Sequence, residues 1–293
     1  MSRPNFIAFA ALKGGTGKTT ISWNIASILA KRGKKLLIID IDPQGNMSNN
    51  FNFDIFDQGN ATIGDLLTRF DENTYEPKYK LEQLINVAPN PKMPEIDVVV
   101  SKCDDYFANT DLITRGTAHN AFAKAMERNK NVLENYDYVI IDVGANLSAL
   151  AFSVLVYTDR VIMVTDPSVN GVKGCEYFPK MYKRQLKMWE MDMDDEKFDT
   201  IIINDVENRN AVSASIDYLY ETNGAKCLKS QIPHSTRFRE SDIEGTPIIH
   251  LEVKSRANES KEKIVAAICS AVAWPLLITK PQCFSETCAS PTA

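Results

Sequence analysis

Residues 13–20 read Lys13-Gly14-Gly15-Thr16-Gly17-Lys18-Thr19-Thr20, a spacing of glycines, lysines and hydroxyls suited to holding a polyphosphate. Glycines let consecutive backbone N–H groups turn inward around anionic oxygens, and a helix starting from the loop adds its partial positive charge. Lys18 is placed to reach the β- and γ-phosphates of a nucleotide, and the Thr19 hydroxyl to ligate Mg²⁺. The common G-x-x-x-x-G-K-[ST] pattern fails at its first position, Leu12, and a second lysine, Lys13, opens the motif instead. Two further carboxylates, Asp40 and Asp42, follow the apolar residues Leu36 to Ile39, and a third, Asp142, closes the apolar run that starts at Tyr138. A carboxylate in that position can hold Mg²⁺ through water. Strand alternation would aim Asp40 and Asp42 to the same side. Together these residues could carry out Mg²⁺-dependent phosphoryl transfer.

Such groups must be gathered by a scaffold. Short aliphatic runs recur at residues 6–11, 36–41, 96–100, 138–143, 160–165 and 200–204, with a weaker one at 227–232. Runs apolar on both faces are what buried parallel strands require, and the stretches between them have helical spacing. After the first run, Ile21, Ile25, Ile28 and Leu29 share one helical face, Lys31 and Arg32 suit its C-terminal end, and Gly33 can supply a left-handed cap. The alternation predicts an α/β fold with a doubly wound, mostly parallel sheet. Ligand sites in such sheets lie at the carboxyl ends of the strands, where the phosphate loop and the three aspartates fall. One domain is expected over residues 1–275. Residues 71–94, polar and proline-bearing, read as a surface excursion, and residues 276–293, without periodicity, as a disordered tail.

The 293 residues carry a net charge of −5, which argues against a surface that coats nucleic acid or an anionic membrane as a whole; any DNA contact must come from a local patch. The apolar run at 6–11 is far too short for a membrane span and the opening residues are polar, so no signal peptide and a cytoplasmic setting are expected. Six cysteines without a C-x-x-C pair, and three histidines, offer little to a metal centre or a disulfide framework.

The octet Lys13–Thr20 is the signature of the deviant Walker A ATPases, and the chain most resembles their ParA branch of DNA-partitioning proteins. The segment Asp40-Ile41-Asp42-Pro43-Gln44-Gly45-Asn46 is similar to the family's D-x-D-P-Q-G-N. The stretch from Ile232 to Glu240, with Gly245-Thr246-Pro247-Ile248, resembles I-P-x-x-x-R-x-x-E…G-x-P-I, and Lys254-Ser255-Arg256-Ala257 also has a counterpart. The resemblance runs from about residue 6 to 275 and is weakest over 71–131. It implies that Lys13 crosses a dimer interface to the partner's nucleotide, that Asp42 positions the attacking water and that Asp40 lies near the metal. It also implies that Asn204, closing the 200–204 run, recognises adenine through an amide able to donate and accept, and that Pro233 lines the base pocket. Arginines matching Arg209 and Arg237 bind DNA without sequence preference in chromosome-type relatives. The chain departs from the family after Asp142, where Val143-Gly144-Ala145-Asn146 replaces a segment that usually carries two prolines and a serine.

The resemblance therefore implies a partition ATPase using ATP and Mg²⁺: a homodimer on ATP binding, bound to nonspecific DNA of the nucleoid and released when a ParB-like adaptor stimulates hydrolysis. Relatives that position protein complexes keep the same mechanism with another cargo. A metabolic ATP-dependent enzyme of the same fold is the other class; it would keep a small-molecule pocket and have no use for the arginines. A MinD-like membrane helix is not expected, because residues 264–278 are apolar on nearly all sides and broken by Pro275. No cysteine lies beside Asp142 for an iron–sulfur cluster. No helix-turn-helix segment precedes the phosphate loop, so operator binding is not expected either. The basic stretch from Lys173 to Lys187 reads as an ordinary charged helix.

Overall fold

The first apolar run forms strand β1 (Asn5–Ala10), whose side chains enter two separate cores, Phe6, Ala8 and Ala10 on one face and Ile7 and Phe9 on the other. A strand apolar on both faces needs cover on both, and helices supply it. The computed structural model describes residues 3–56, 59–87, 95–192, 196–207, 209–251 and 261–269. After β1 come α1 (Lys18–Lys31), β2 (Leu36–Asp40), α2 (Asn46–Asn50), α3 (Ile63–Thr68), β3 (Ile85–Val87), β4 (Asp97–Val99), α4 (Asp105–Thr114), α5 (Ala121–Arg128) and α6 (Lys130–Leu133). Then follow β5 (Tyr138–Asp142), α7 (Ala149–Tyr157), β6 (Arg160–Thr165), α8 (Val169–Met188), β7 (Thr200–Ile203), α9 (Arg209–Asn223) and α10 (Thr236–Glu244). The strand order is β3-β4-β2-β5-β1-β6-β7, every pairing parallel except β3 with β4. This is the doubly wound, mostly parallel sheet expected.

One face of the sheet is covered by α1, which brings Ile21, Trp23, Ile25 and Leu29, together with Met47 of α2, Ile248, and Ile264 and Ile268 of the helical segment 261–269. The other face packs α3, α4, α5, α7, α8 and α9 through residues such as Leu66, Leu112, Phe122, Val154, Phe178 and Leu219. Each fully buried Leu, Ile or Phe contributes about 1.5–3 kcal/mol relative to exposure. The cap predicted for α1 is present: Gly33 has φ of 77°, in the left-handed region that glycine enters without steric cost.

Three expectations change. Residues 71–94 are more than an excursion, because β3 lies within them and pairs antiparallel with β4 at the sheet edge, Ile85 opposite Val99. Three residues in a polar context carry too little periodicity to announce a strand whose partner lies elsewhere in the chain. The run at 227–232 does not become a strand, although the Leu228 and Ile232 N–H groups donate to the Ile201 and Ile203 carbonyls beside β7 at 3.0 and 2.9 Å. The alternation that would aim Asp40 and Asp42 together fails, since β2 stops at Asp40 and the chain turns. Residues 88–94, 193–195, 254–257 and 270–293, which include parts of the segments singled out above and the expected tail, lie outside the described residues.

Candidate functional site

β1 lies between β5 and β6, so the loop leaving its carboxyl end emerges at the middle of the sheet. Gly15 and Gly17 have φ of 79° and 80°, backbone settings that favour glycine and that turn the loop's N–H groups inward. α1 begins at Lys18 with no side-chain cap on its first N–H groups, which leaves them for an anion. A cavity of about 320 Å³ lies over this loop, bounded also by Asp42, Asn46, Asn49 and Ala145.

Register puts Asp142 opposite both Phe9 of β1 and Asp40 of β2, directly under the loop. Its two oxygens accept from Lys18 Nζ at 2.6 Å and from the Thr19 hydroxyl at 2.7 Å. The carboxylate is fully buried; burial pushes its pKa up while Lys18 and Thr19 oppose the shift. Thr19 and Asp142 thus converge as a hard oxygen pair of the kind that binds Mg²⁺, beside the lysine expected on the phosphates.

Asp40 does not fit the metal role expected of it. It is fully buried, and its oxygens accept the Asp42 N–H at 3.1 Å and the Ser48 N–H and hydroxyl at 2.9 and 2.8 Å. Burial and the neighbouring Asp142 push its pKa up to about 7. Asp42 is half-buried at the cavity wall, its Oδ1 accepting the Gln44 N–H at 3.1 Å. The departure Val143-Gly144-Ala145-Asn146 has a structural counterpart here: a Cβ on Gly144 would sit 3.2–3.3 Å from the Asp42 carboxyl group. Glycine at this position lets the loop after β5 approach Asp42 closely.

Lys13 lies half-buried beside the loop, and its ammonium group is paired with Asp166 and donates to the Ser168 hydroxyl at 3.1 Å. Burial opposes it, but Lys13 and Ser168 hold Asp166 below the usual carboxylate range. These two partners escape a sequence reading; the available signal was an aspartate directly after the strand at 160–165.

Asn204 reaches the loop from β7. Its Nδ2 donates to the Thr16 carbonyl at 2.8 Å, and a Cβ on Gly17 would fall 2.3 Å from that nitrogen. Among the described residues, its Oδ1 and the Thr16 hydroxyl are buried without a hydrogen-bond partner, polar atoms suited to a ligand in the adjoining cavity. For adenine the accepting oxygen and one N–H of the amide remain, since the other N–H is committed to Thr16. Pro233 lies beside the end of β7, bridged to Val206. Of the DNA candidates, Arg237, near the start of α10, is ion-paired with Glu240. Arg209 is the first residue of α9, and its side chain lies outside the described part. α8 instead displays Lys173, Lys180, Arg184 and Lys187 on exposed positions. Among the described residues, no helix is long and apolar enough to cross a membrane.

Residues 4–194 match the AAA domain family AAA_31. The sporulation initiation inhibitor protein Soj of Bacillus subtilis (strain 168) is 25% identical over 254 residues, covering 86% of this chain and 93% of Soj. The chromosome partitioning protein ParA of Caulobacter vibrioides is 22% identical over 271 residues, 90% of this chain and 93% of ParA. Among solved structures, apo McdA from Cyanothece superposes with a TM-score of 0.74 at 17% identity, over 92% of this chain and 99% of McdA.

Proposed function

From the premise that this chain belongs to the ParA/MinD family of P-loop ATPases, we propose that it is a partition ATPase whose ATP-bound homodimer binds DNA without sequence preference. An adaptor of the ParB kind bound to the cargo triggers hydrolysis and release. ATPase activity with ATP and Mg²⁺ goes with the family. The observation that supports the reading best is the pair of lysines around one loop. Lys18 points down to Asp142, while Lys13, a half-exposed residue of the cavity wall, is turned to Asp166 and Ser168 instead.

In this reading Lys18 and the loop N–H groups hold the phosphates, and Thr19 with Asp142 holds Mg²⁺, which supplies neutralisation of charge on the β- and γ-oxygens. Asp42 orients the attacking water, with Gly144 giving it room. Asn204 and Pro233 border the base. Arg209 follows β7, and Arg237 follows the segment whose Leu228 and Ile232 N–H groups bond to β7; both come after the carboxyl end of that strand, the side of the sheet where the phosphate loop lies, so dimerisation through that side would double the patch.

Light scattering with ATP–Mg²⁺, ADP and no nucleotide tests the dimer. Wild type should become dimeric only with ATP, and Lys13→Ala should bind nucleotide yet stay monomeric. Normal ATP-driven dimerisation of Lys13→Ala would refute the role of that lysine, and absence of any nucleotide-dependent dimer would favour a metabolic enzyme of the same fold.

A further inference from the structure

The loop between β2 and α2 carries Asp42, and one carboxylate fastens both of its ends. Asp40 Oδ1 accepts the Asp42 N–H at 3.1 Å, and Oδ2 accepts the Ser48 N–H at 2.9 Å and the Ser48 hydroxyl at 2.8 Å. Between the two fastenings, the Gly45 N–H donates to the Asp42 carbonyl at 2.7 Å and the Gln44 N–H to its carboxylate at 3.1 Å. The Ser48 hydroxyl has a second engagement: its oxygen accepts the Ser101 N–H at 3.0 Å, two residues past the end of β4. Asp40 and Ser48 are fully buried and Ser101 is 1% exposed, so water cannot replace the bonds that meet at Ser48. Ser48 itself is absent from the walls of the nucleotide cavity.

We propose that Ser48 is a positioning residue for ATP hydrolysis. Its hydroxyl holds Asp40, Asp40 holds the backbone of Asp42, and the bond from Ser101 ties the whole loop to the end of β4. Removing the hydroxyl takes away a bond to a buried carboxylate and leaves the Ser101 N–H without an acceptor, two losses that are not repaired locally. The loop then relaxes and Asp42 moves, while Lys18, Thr19 and the loop glycines stay where α1 and β1 place them. Phosphoryl transfer depends mainly on positioning, and a displacement of about 1 Å costs on the order of 100-fold in rate. The inference rests on reading Asp42 as the residue that orients the attacking water.

The test measures kcat and the dissociation constant for ATP–Mg²⁺ in Ser48→Ala, Asp42→Ala and the double variant. Ser48→Ala should lower kcat by about 10- to 100-fold and leave nucleotide affinity within about threefold of wild type. In the double variant the serine change should cost little more, because the residue it positions is gone. A kcat for Ser48→Ala within about threefold of wild type overturns the proposal, as does a full multiplicative loss in the double variant. If Ser48→Ala does not fold, Ser48→Cys, of similar shape and weaker as a donor, must show the same split between kcat and affinity. Asp42→Ala turning over at the wild-type rate sinks the reading of Asp42, and with it this one; an inactive Asp42→Ala beside a normal Ser48→Ala sinks the role of Ser48 alone.

Discussion

Lys18 and Lys13 stand five residues apart in one motif and meet different surroundings. Lys18 is 7% exposed and faces Asp142; its charge compensates that buried carboxylate. Lys13 pairs at a half-exposed position with Asp166, where water screens the interaction and the pair can open at small cost. A lysine that compensates a buried acid cannot be removed quietly: Lys18→Ala should destabilise the protein even without nucleotide, because Asp142 loses its charge partner in the interior. It should also lose the stabilisation that ligand brings. ATP–Mg²⁺ at about 100 times Kd should raise the unfolding free energy of wild type by about 2.7 kcal/mol, and most of that increment should vanish in Lys18→Ala. Thermal denaturation of both proteins with and without ATP–Mg²⁺ measures it, and an equal ligand increment in the two would remove Lys18 from the phosphate site.

At the scale of elements, what the sequence made legible was local. The strand–loop–helix around residues 13–20 was readable because β1, the glycines and α1 are contiguous. The carboxyl-edge position of Asp142 was readable because its strand is uniformly apolar. What escaped were groups that meet across distance: Lys13 with Asp166, 153 residues apart, and Ser48 with Ser101, 53 apart. Neither contact leaves a period or a spacing in the chain. The same holds for Asp105, at the start of α4. Its oxygens accept from the Thr62 hydroxyl at 2.5 Å, the Ser101 hydroxyl at 3.2 Å and the Lys102 N–H at 3.1 Å, while Thr62 caps α3 in a reciprocal pair with Asp65. One carboxyl group thus joins α3, α4 and the end of β4. Burial raises its pKa from 3.8 to about 6 despite those donors. A raised folded-state pKa means the folded protein holds the proton more tightly than the unfolded chain. The contribution is therefore fully present below about pH 4 and is lost as pH rises through about 6. Asp105→Asn keeps the neutral form at every pH, so the stability of wild type relative to this variant should fall between pH 4 and 7, by at most about 3 kcal/mol. Denaturant unfolding at the two pH values checks this; a difference that does not change with pH would mean that Asp105 is ionised throughout.

The whole molecule carries a net charge of −5, so attraction to DNA must come from a patch, and a patch on each subunit is doubled by a dimer. Arg209 and Arg237 would supply four phosphate contacts per dimer, two from each chain, giving a log–log salt slope of about −3.6. Between roughly 50 and 200 mM salt, that slope corresponds to a loss of affinity on the order of 100-fold. Arg237 enters this count only by exchanging Glu240 for a phosphate. Glu240→Gln should therefore strengthen DNA binding, and Arg237→Ala should weaken random and defined sequences alike. Arg237→Ala should also make the slope shallower by about two, because each dimer holds two copies. The exposed row Lys173, Lys180, Arg184 and Lys187 on α8 is the competing patch, and a contact made there is indifferent to that substitution. A surface-binding assay across nucleotide states and salt concentrations separates the two. Binding that requires ATP, strengthens in Glu240→Gln and flattens its salt slope in Arg237→Ala assigns the contact to α10. ATP-dependent binding that both substitutions leave untouched, but that weakens when Lys180 and Arg184 are replaced, moves it to α8. Equal and negligible binding with ATP, ADP and no nucleotide would remove DNA from the cycle.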